Sequence, residues 1–410
     1  MRIGYLVPEF PAQTHNFFWE ERKALQARGI ETLIISTRRP KSTLISHTWA
    51  ESAQNQTTYL AEISIGEAFG LIVDLVKIGP AGWLSLFGAA LSGCPPRQIP
   101  YNLALILPAL KLVNLMRDAN LSHVHSHSCA GAALIAALAN RLAAVRYSLT
   151  LHGDLEDYGT QQEVKFRYAD FAIAITKRLR RQIREVLKKD APMRIGLAPM
   201  GVETEVFKRE GPYVPWSGKG PLRLFSCGRL NFVKGHQDLI SAVGLLRATG
   251  IEVVLEIAGE DDSGGAGFRK VLETQVSNLC LEEAVRFLGA VPVSRVLAGL
   301  ASSHLFVLAS HHEPLGVALM EAMSCGTPVI STNRGGVPEL IDHLSNGYLV
   351  SPRDPELLAE AIKLVALDHA MAMRFSDAGR RTIVAQFRSD ASAIELERML
   401  LKRDEVSKEN

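Results

Sequence analysis

Cysteine is sparse and unpatterned: Cys94, Cys129, Cys227, Cys280 and Cys325 stand alone, with no C-x-x-C among them. That spacing excludes a zinc ribbon and a disulfide-stapled scaffold, and it fits a reducing, cytoplasmic compartment. A charge excess is also missing. The 45 lysines and arginines nearly balance 43 aspartates and glutamates, for a formal net charge of +2. A dedicated nucleic-acid binder needs a broad basic surplus, so none is expected, and any anion site must be local. One apolar stretch, 78–96, runs 19 residues without a charge but is interrupted by Gly79, Pro80, Gly82, Gly88, Gly93, Pro95 and Pro96. No spanning helix is expected there, because a helix crossing a bilayer wants about 20 strongly apolar residues. The opening MRIGYLVPEFP lacks the apolar h-region and cleavage site of a signal peptide and reads as a first strand. No G-x-G-x-x-G follows an expected strand and no P-loop is present, which argues against nicotinamide and ATPase chemistry. A solenoid-type repeat is absent too.

What the chain does have is alternation. Short β-branched or apolar runs alternate with amphipathic helix-length segments, the pattern of parallel βαβ units. Strands are expected at 3–7, 32–36, 123–125, 147–151, 171–175 and 194–198, with helices at 16–28, 130–143 and 177–189. A polar segment at 201–220, rich in Pro and Gly, reads as a linker. A second series follows, with strands at 222–226, 252–258, 285–287, 305–308 and 328–331 and helices at 235–247, 268–279, 294–301 and 316–324. At 410 residues, and about 150 per domain, the expected fold is α/β with two Rossmann-like doubly wound domains facing across a cleft. Their expected bounds are 1–205, joined by a C-terminal helix at 388–410, and 206–387. Residues 402–410 read as a frayed tail.

In open α/β sheets ligands sit at the carboxyl ends of strands. After the strand at 305–308 the chain reads ASHHEPLGVALMEAMSCGTPVISTNRGGVPEL. Pro314 suits a first helical turn, and Leu315, Gly316 and Val317 would then present free backbone N–H groups to an anion. Glu321 follows Glu313 in an E-x7-E pattern, roughly 12 Å along a helix. Glu313 alone reads equally as a helix-capping charge and Glu321 alone as a surface residue. Together they place a carboxylate at each end of a ligand whose middle is anionic, the layout of a nucleotide sugar. After the strand at 222–226, CGRLNFVKG supplies Arg229 and Lys234, two cations able to bracket a diphosphate.

These segments resemble the retaining, nucleotide-sugar-dependent glycosyltransferases of family 4, which have the GT-B fold. SCGRLNFVKG, EPLGVALME and SCGTPVISTNRGGVPELI carry the resemblance, and YLVPEFPAQTHNFFWEE is similar to the branch that builds colanic acid and other exopolysaccharides. The resemblance implies that Arg229 and Lys234 meet the leaving diphosphate, that Glu313 meets the donor sugar's hydroxyls, and that Glu321 holds the ribose. In LHGDLED it implies that His152 lies close to the reaction centre, with Asp154 nearby. The catalytic set would be His152, Glu313, Arg229 and Lys234. The donor would be a UDP- or GDP-sugar, with no further cofactor and no essential metal. The acceptor would be a glycan or a lipid-linked sugar, met in the cytoplasm or peripherally at the inner face of the membrane.

The chain departs from that family after its first strand, where many members have a glycine-rich turn and this sequence has PEFPAQTH. Thr14 and His15 are therefore acceptor-side candidates on position alone. The alternation of His123, His125 and His127 places them on one face of a strand, as a structural group or cleft wall. The acidic run Glu260-Asp261-Asp262 reads as a surface loop. An apolar segment around Trp83, Leu84, Leu86 and Phe87, with the basic helix carrying Arg178, Arg180, Arg181 and Arg184, is a candidate membrane contact. The alternatives are a nucleotide-sugar epimerase of the same fold, or transfer to a small soluble acceptor.

Overall fold

The computed structural model describes residues 1–12, 16–40, 49–261 and 263–406. The chain divides into two compact units, Met1–Pro199 with Ser392–Asn410, and Met200–Ala391.

The first unit is built on seven strands: β1 (Arg2–Glu9), β2 (Glu31–Arg38), β3 (Thr58–Tyr59), β4 (His123–Ser126), β5 (Tyr147–Leu151), β6 (Ala172–Ala174) and β7 (Ile195–Leu197). They lie in the order β3-β2-β1-β4-β5-β6-β7, every pairing parallel. Every residue of β5 is buried, as expected of a strand covered by helices on both faces. Ile3, Tyr5, Val7, Phe18 and Leu25 form one core with Leu396, Met399 and Leu400, so the last helix, Ala391–Val406, belongs to this unit. It runs through most of the expected tail, because that apolar stripe keeps it docked.

The second unit has β8 (Leu222–Cys227), β9 (Val253–Ala258), β10 (Val285–Gly289), β11 (Leu305–Leu308), β12 (Val329–Thr332) and β13 (Tyr348–Val350). Their order is β10-β9-β8-β11-β12-β13, again all parallel. In each unit the chain winds outward from the first strand, then returns to its other side. The switch points lie between β1 and β4 and between β8 and β11, where doubly wound sheets hold their ligands. The strands β3 and β13 are too short for a sequence pattern, and neither was expected.

The segment 201–220 is no slack linker. Tyr213 and Trp216 are buried, and Tyr213 Oη donates to the His304 carbonyl at 2.8 Å. The Arg209 guanidinium donates to the carbonyls of Leu300 (3.0 Å), Cys325 (3.2 Å) and Ala301 and to Thr327 Oγ1 (3.0 Å). Its aromatic and guanidinium groups find partners that a count of prolines and glycines does not register.

The segment 78–96 splits between two environments. Leu86, Ala89 and Ala90 of the helix Gly79–Leu91 are buried, Trp83 stacks on Phe87, and Leu84 faces out. The preceding helix, Ile65–Lys77, exposes Ile65, Phe69, Ile72 and Val76 along one face. Among the described residues, one helical stretch, Pro96–Asp118, is long and apolar enough to cross a membrane, and half of its most apolar window is buried inside the protein.

Candidate functional site

Strands β8 and β11 run side by side, Leu305 opposite Leu224 and Phe306 opposite Phe225, so the loops leaving their carboxyl ends start as neighbours. Arg229 lies in the first loop with its side chain exposed, and among the described residues its guanidinium makes no ion pair or hydrogen bond. Lys234 ends a single 3-10 turn, Phe232–Lys234, capped by Asn231 Oδ1, which accepts the Lys234 N–H at 3.2 Å. Gly235 follows with φ of +67°, and a Cβ there would lie 1.9 Å from the Ala309 carbonyl oxygen. Only glycine lets the loop after β8 press this closely on the chain after β11.

The second loop brings up Glu313. Its carboxylate Oε2 lies 2.5 Å from Lys234 Nζ and accepts a hydrogen bond from Ser310 Oγ at 3.1 Å, with only 8% of the side chain exposed. A charge-assisted contact this short and this buried fixes both groups. The backbone is fixed as well: Gly336 N–H donates to the Glu313 carbonyl at 3.0 Å, and a Cβ on Gly335, at φ of +68°, would sit 2.0 Å from that oxygen. Gly335 and Gly336 are positioning residues that the sequence reading passed over. The signal was present in Arg334-Gly335-Gly336, a pair of glycines directly after an expected strand.

The helix following Glu313 starts within one residue of the expected 316–324, but Pro314 is not in its first turn. Pro314 stands ahead of it in a bend, Gly316 is the N-cap at φ of +97°, and the helix is Val317–Ser324. The Glu313 carbonyl, which a helix starting at Pro314 would use within itself, is bonded instead to the Gly336 N–H. Met320 N–H to the Gly316 carbonyl, 3.1 Å, closes the first turn, so the N–H groups of Val317, Ala318 and Leu319 precede the first intrahelical bond. Gly316 and Val317 thus stand at the donor-bearing end of the helix, while Leu315 is buried beside them.

Glu321, on that helix, is partly buried and has no hydrogen-bond or ion-pair partner among the described residues. Burial without a counter-charge raises its carboxyl to about 8. The Cys227 thiol, at the end of β8, is pushed up to about 12 by burial and then by the Glu321 charge, with Lys234 opposing. Cys227, Glu321 and Lys234 are therefore within electrostatic reach of one another. His236, which opens the next helix (His236–Ala248), is buried, with its ring behind Gly228. Burial first, and then Lys234, lowers it to about 4, so it packs beneath the Arg229 loop as a neutral ring. A single histidine after Lys-Gly gives no such signal in sequence.

The acidic run after β9 is committed within the protein. Glu260 pairs with Arg269 at 2.7 Å, and Asp261 accepts the N–H groups of Ser263, Gly265, Gly267 and Arg269 at 2.9–3.0 Å. Asp262 lies outside the described residues.

In the first unit His152 follows β5, its ring 5.0 Å from Phe17 and 5.2 Å from Phe18, and its backbone N–H donates to Tyr158 Oη at 2.8 Å. Asp154 is a short step away but is engaged by Arg178, Nη1 to Oδ1 at 3.1 Å with a second contact from Nη2, and its N–H donates to Asp157. Arg178 is thereby withdrawn from the basic surface expected of its helix, Lys177–Leu187, which leaves Arg181 and Arg184 exposed. Thr14 and His15 lie outside the described residues. His123 and His125 share Ser148 Oγ at 2.7 Å each, and His125 also meets Thr150 Oγ1 at 2.8 Å. Those two are structural. His127 instead reaches His152, its Nδ1 lying 3.3 Å from His152 Nε2.

Two doubly wound parallel units, each with a switch point beside its first strand, make this the GT-B fold. HepE of Anabaena in complex with UDP-glucose superimposes with a TM-score of 0.72 at 18% identity, covering 98% of this chain and 99% of that one. Residues 216–382 match the family model described as glycosyl transferases group 1, a span that contains Arg229, Lys234, Glu313 and Glu321. Over 168 residues the chain is 35% identical to glycogen synthase of Mycobacterium tuberculosis, covering 41% of this chain and 39% of that relative's length. It is 23% identical over 404 residues to WcaL of Salmonella typhimurium, a glycosyltransferase named for colanic acid biosynthesis, covering 95% and 97% of the two chains.

Proposed function

We propose that this chain is a retaining glycosyltransferase that moves a sugar from a UDP- or GDP-sugar to an acceptor hydroxyl in the synthesis of an exopolysaccharide or another cell-surface glycan. The observation that carries this reading is the Lys234–Glu313 pair at the β8/β11 switch point, with Glu321 on the helix that follows. Arg229, Lys234 and the N–H groups around Gly316 and Val317 take the diphosphate, Glu313 takes the sugar hydroxyls, and Glu321 takes the ribose. In the reaction the bond from the anomeric carbon to the diphosphate oxygen breaks and the acceptor oxygen bonds to the same face of that carbon. The acceptor's proton passes to the departing phosphate. Negative charge grows on the leaving oxygens, where fixed donors are most effective. His152 orients the sugar. Because two cations and a helix N-terminus supply the charge stabilisation, turnover needs no divalent metal.

The similarity to WcaL, named for colanic acid biosynthesis, favours an acceptor in a cell-surface polysaccharide, and the apolar face of helix Ile65–Lys77 supports contact with the inner surface of a membrane. The deciding experiment incubates the purified chain with a panel of nucleotide sugars, with and without lipid-linked acceptor, and assays released nucleoside diphosphate. Release stimulated by acceptor supports transfer. An isomerised nucleotide sugar formed without acceptor would make the chain an epimerase.

A further inference from the structure

The loop carrying Lys234 and the loop carrying Glu313 meet a second time, away from that pair, at His311. This residue lies two positions before Glu313 and is held by the chain on both sides of Lys234. Its backbone N–H donates to the Val233 carbonyl at 2.7 Å. Its ring Nε2 lies 2.8 Å from Oδ2 of Asp238, in the first turn of the helix His236–Ala248. A carboxylate only accepts, so His311 Nε2 is the donor. The Gln237 amide nitrogen is 3.4 Å from the same ring nitrogen, outside ordinary N–H reach, and donates instead to the Phe232 carbonyl at 3.1 Å. The side chain of His311 is 6% exposed and that of Asp238 16%, and Phe232 covers the ring edge-on with centroids 4.9 Å apart. The other ring nitrogen, Nδ1, is buried and has no hydrogen-bond partner among the described residues, so the ring's orientation rests on Nε2.

We propose that Asp238 and His311 are positioning residues of the donor site, their hydrogen bond keeping the two loops in register while Lys234 holds the diphosphate and Glu313 the sugar. The inference rests on that reading of Lys234 and Glu313, and it adds the residues that set the spacing between them.

The need for such a tie follows from the geometry of the pair. Lys234 Nζ and Glu313 Oε2 touch each other directly. Once each engages its own part of a donor, that contact no longer sets their separation. Three other ties join the loops. Gly235 against the Ala309 carbonyl fixes how closely they approach, and the His311–Val233 bond joins their main chains. The Asp238 bond anchors His311 to an α-helix, whereas Lys234 ends a single 3-10 turn, whose hydrogen bonds are poorer in geometry. From His311 the path to the carboxylate is short. Ser310, the residue before it, donates to Glu313 Oε2 at 3.1 Å, and the Ser310 carbonyl accepts in turn from Thr332 Oγ1. Asp238 therefore fixes His311, and His311 fixes the segment 310–313 against Lys234.

The test measures turnover of the full chain on the nucleotide sugar that the panel identifies, together with UDP and GDP affinity by calorimetry. His311→Leu keeps an apolar side chain in place and removes the donor. Because misplacing reacting groups by about 1 Å costs about 100-fold in rate, its turnover should fall about 10- to 100-fold, with KM for the donor and affinity for UDP or GDP little changed. His311→Gln, whose amide nitrogen can donate to Asp238, should recover most of the loss. Asp238→Ala should match His311→Leu, and the double variant should lose no more than either alone, since both remove one interaction. A bond that only supported the fold would lower the melting temperature and leave turnover of the folded protein unchanged. Unchanged turnover in folded Asp238→Ala, where the side chain is partly exposed, would overturn the proposal even if His311→Leu fails to fold. So would additive losses in the double variant, or His311→Gln as slow as His311→Leu. Should Lys234→Met retain full turnover, or the unmodified chain turn over no nucleotide sugar, the reading of the donor site fails and the proposal with it.

Discussion

Lys234 Nζ lies 2.5 Å from Glu313 Oε2, a contact between residues delivered by different strands, β8 and β11. One group is assigned to the diphosphate and the other to the sugar, so the pair connects the two halves of the proposed donor site before any donor arrives. Removing one partner leaves the other charge poorly solvated. Lys234→Met should therefore cost more stability than the double variant Lys234→Met/Glu313→Gln, with a coupling of about 1–3 kcal/mol in a urea-unfolding cycle. Turnover should fall at least about 100-fold in Lys234→Met.

Glu321 separates stability from function. Its carboxyl is raised to about 8, above its ordinary value of 4.5. The folded state thus prefers the protonated form: the penalty is absent below the ordinary value, grows as pH rises toward 8, and is full above it. Glu321→Gln should melt at a higher temperature than the unmodified protein, by a margin that widens from pH 5 to pH 8. The same variant should bind nucleoside diphosphate more weakly by calorimetry.

Lys165 is buried, with 4% of its surface exposed, and its Nζ donates to the Tyr158 carbonyl at 3.0 Å. Burial lowers it to about 8 from 10.5. Here the charged form is disfavoured in the folded state, so the penalty is full below pH 8 and disappears as pH rises past the ordinary value. Melting temperature should rise across pH 8 to 10, and Lys165→Met should remove most of that slope.

Gly335→Ala tests whether Glu313 is held from behind. The added methyl would lie 2.0 Å from the Glu313 carbonyl oxygen, on a backbone at φ of +68°. Expected are a loss of about 1–2 kcal/mol from the left-handed conformation alone, and a loss of activity beyond what that destabilisation explains. Full activity in a folded variant would show that the loop adjusts freely.

The exposed face of helix Ile65–Lys77 predicts co-sedimentation with anionic liposomes. Phe69→Asp with Val76→Asp should abolish it without altering the melting temperature, since Phe69 and Val76 are 72% and 69% exposed. Binding retained by that variant would place the contact elsewhere.

The two alternating series, and with them the two doubly wound units, were legible because parallel strands buried on both faces leave compact apolar runs. Arg229, Lys234 and Glu313 stood out as candidates because they fall in adjacent loops at strand ends, and Glu321 by its spacing along the helix that follows. The place of Pro314 was not legible. It signals a first helical turn locally, but it stands in a bend ahead of Val317, next to a Glu313 carbonyl bonded to Gly336 from the far side of β12. The contact of His127 was equally hidden: alternation put the histidine on a face with His123 and His125, but nothing in sequence ties it to His152 after β5. Local rules found what local chemistry fixes, and missed what the crossing of strands brings together.

The strap 201–220 bears on how this chain can be divided. Arg209, Tyr213 and Trp216 are fastened to the carbonyls and side chains of the second unit itself. A cut placed after Arg209 would leave the carbonyls of Leu300 and Cys325 without their guanidinium and strip a clasp from a fragment meant to stand alone. A cut at Pro199 carries the clasp along. The second unit is in that sense a cassette that brings its own fastening, and grafting it from Met200 onward into a foreign chain should preserve its melting behaviour where a graft beginning at Pro212 should not.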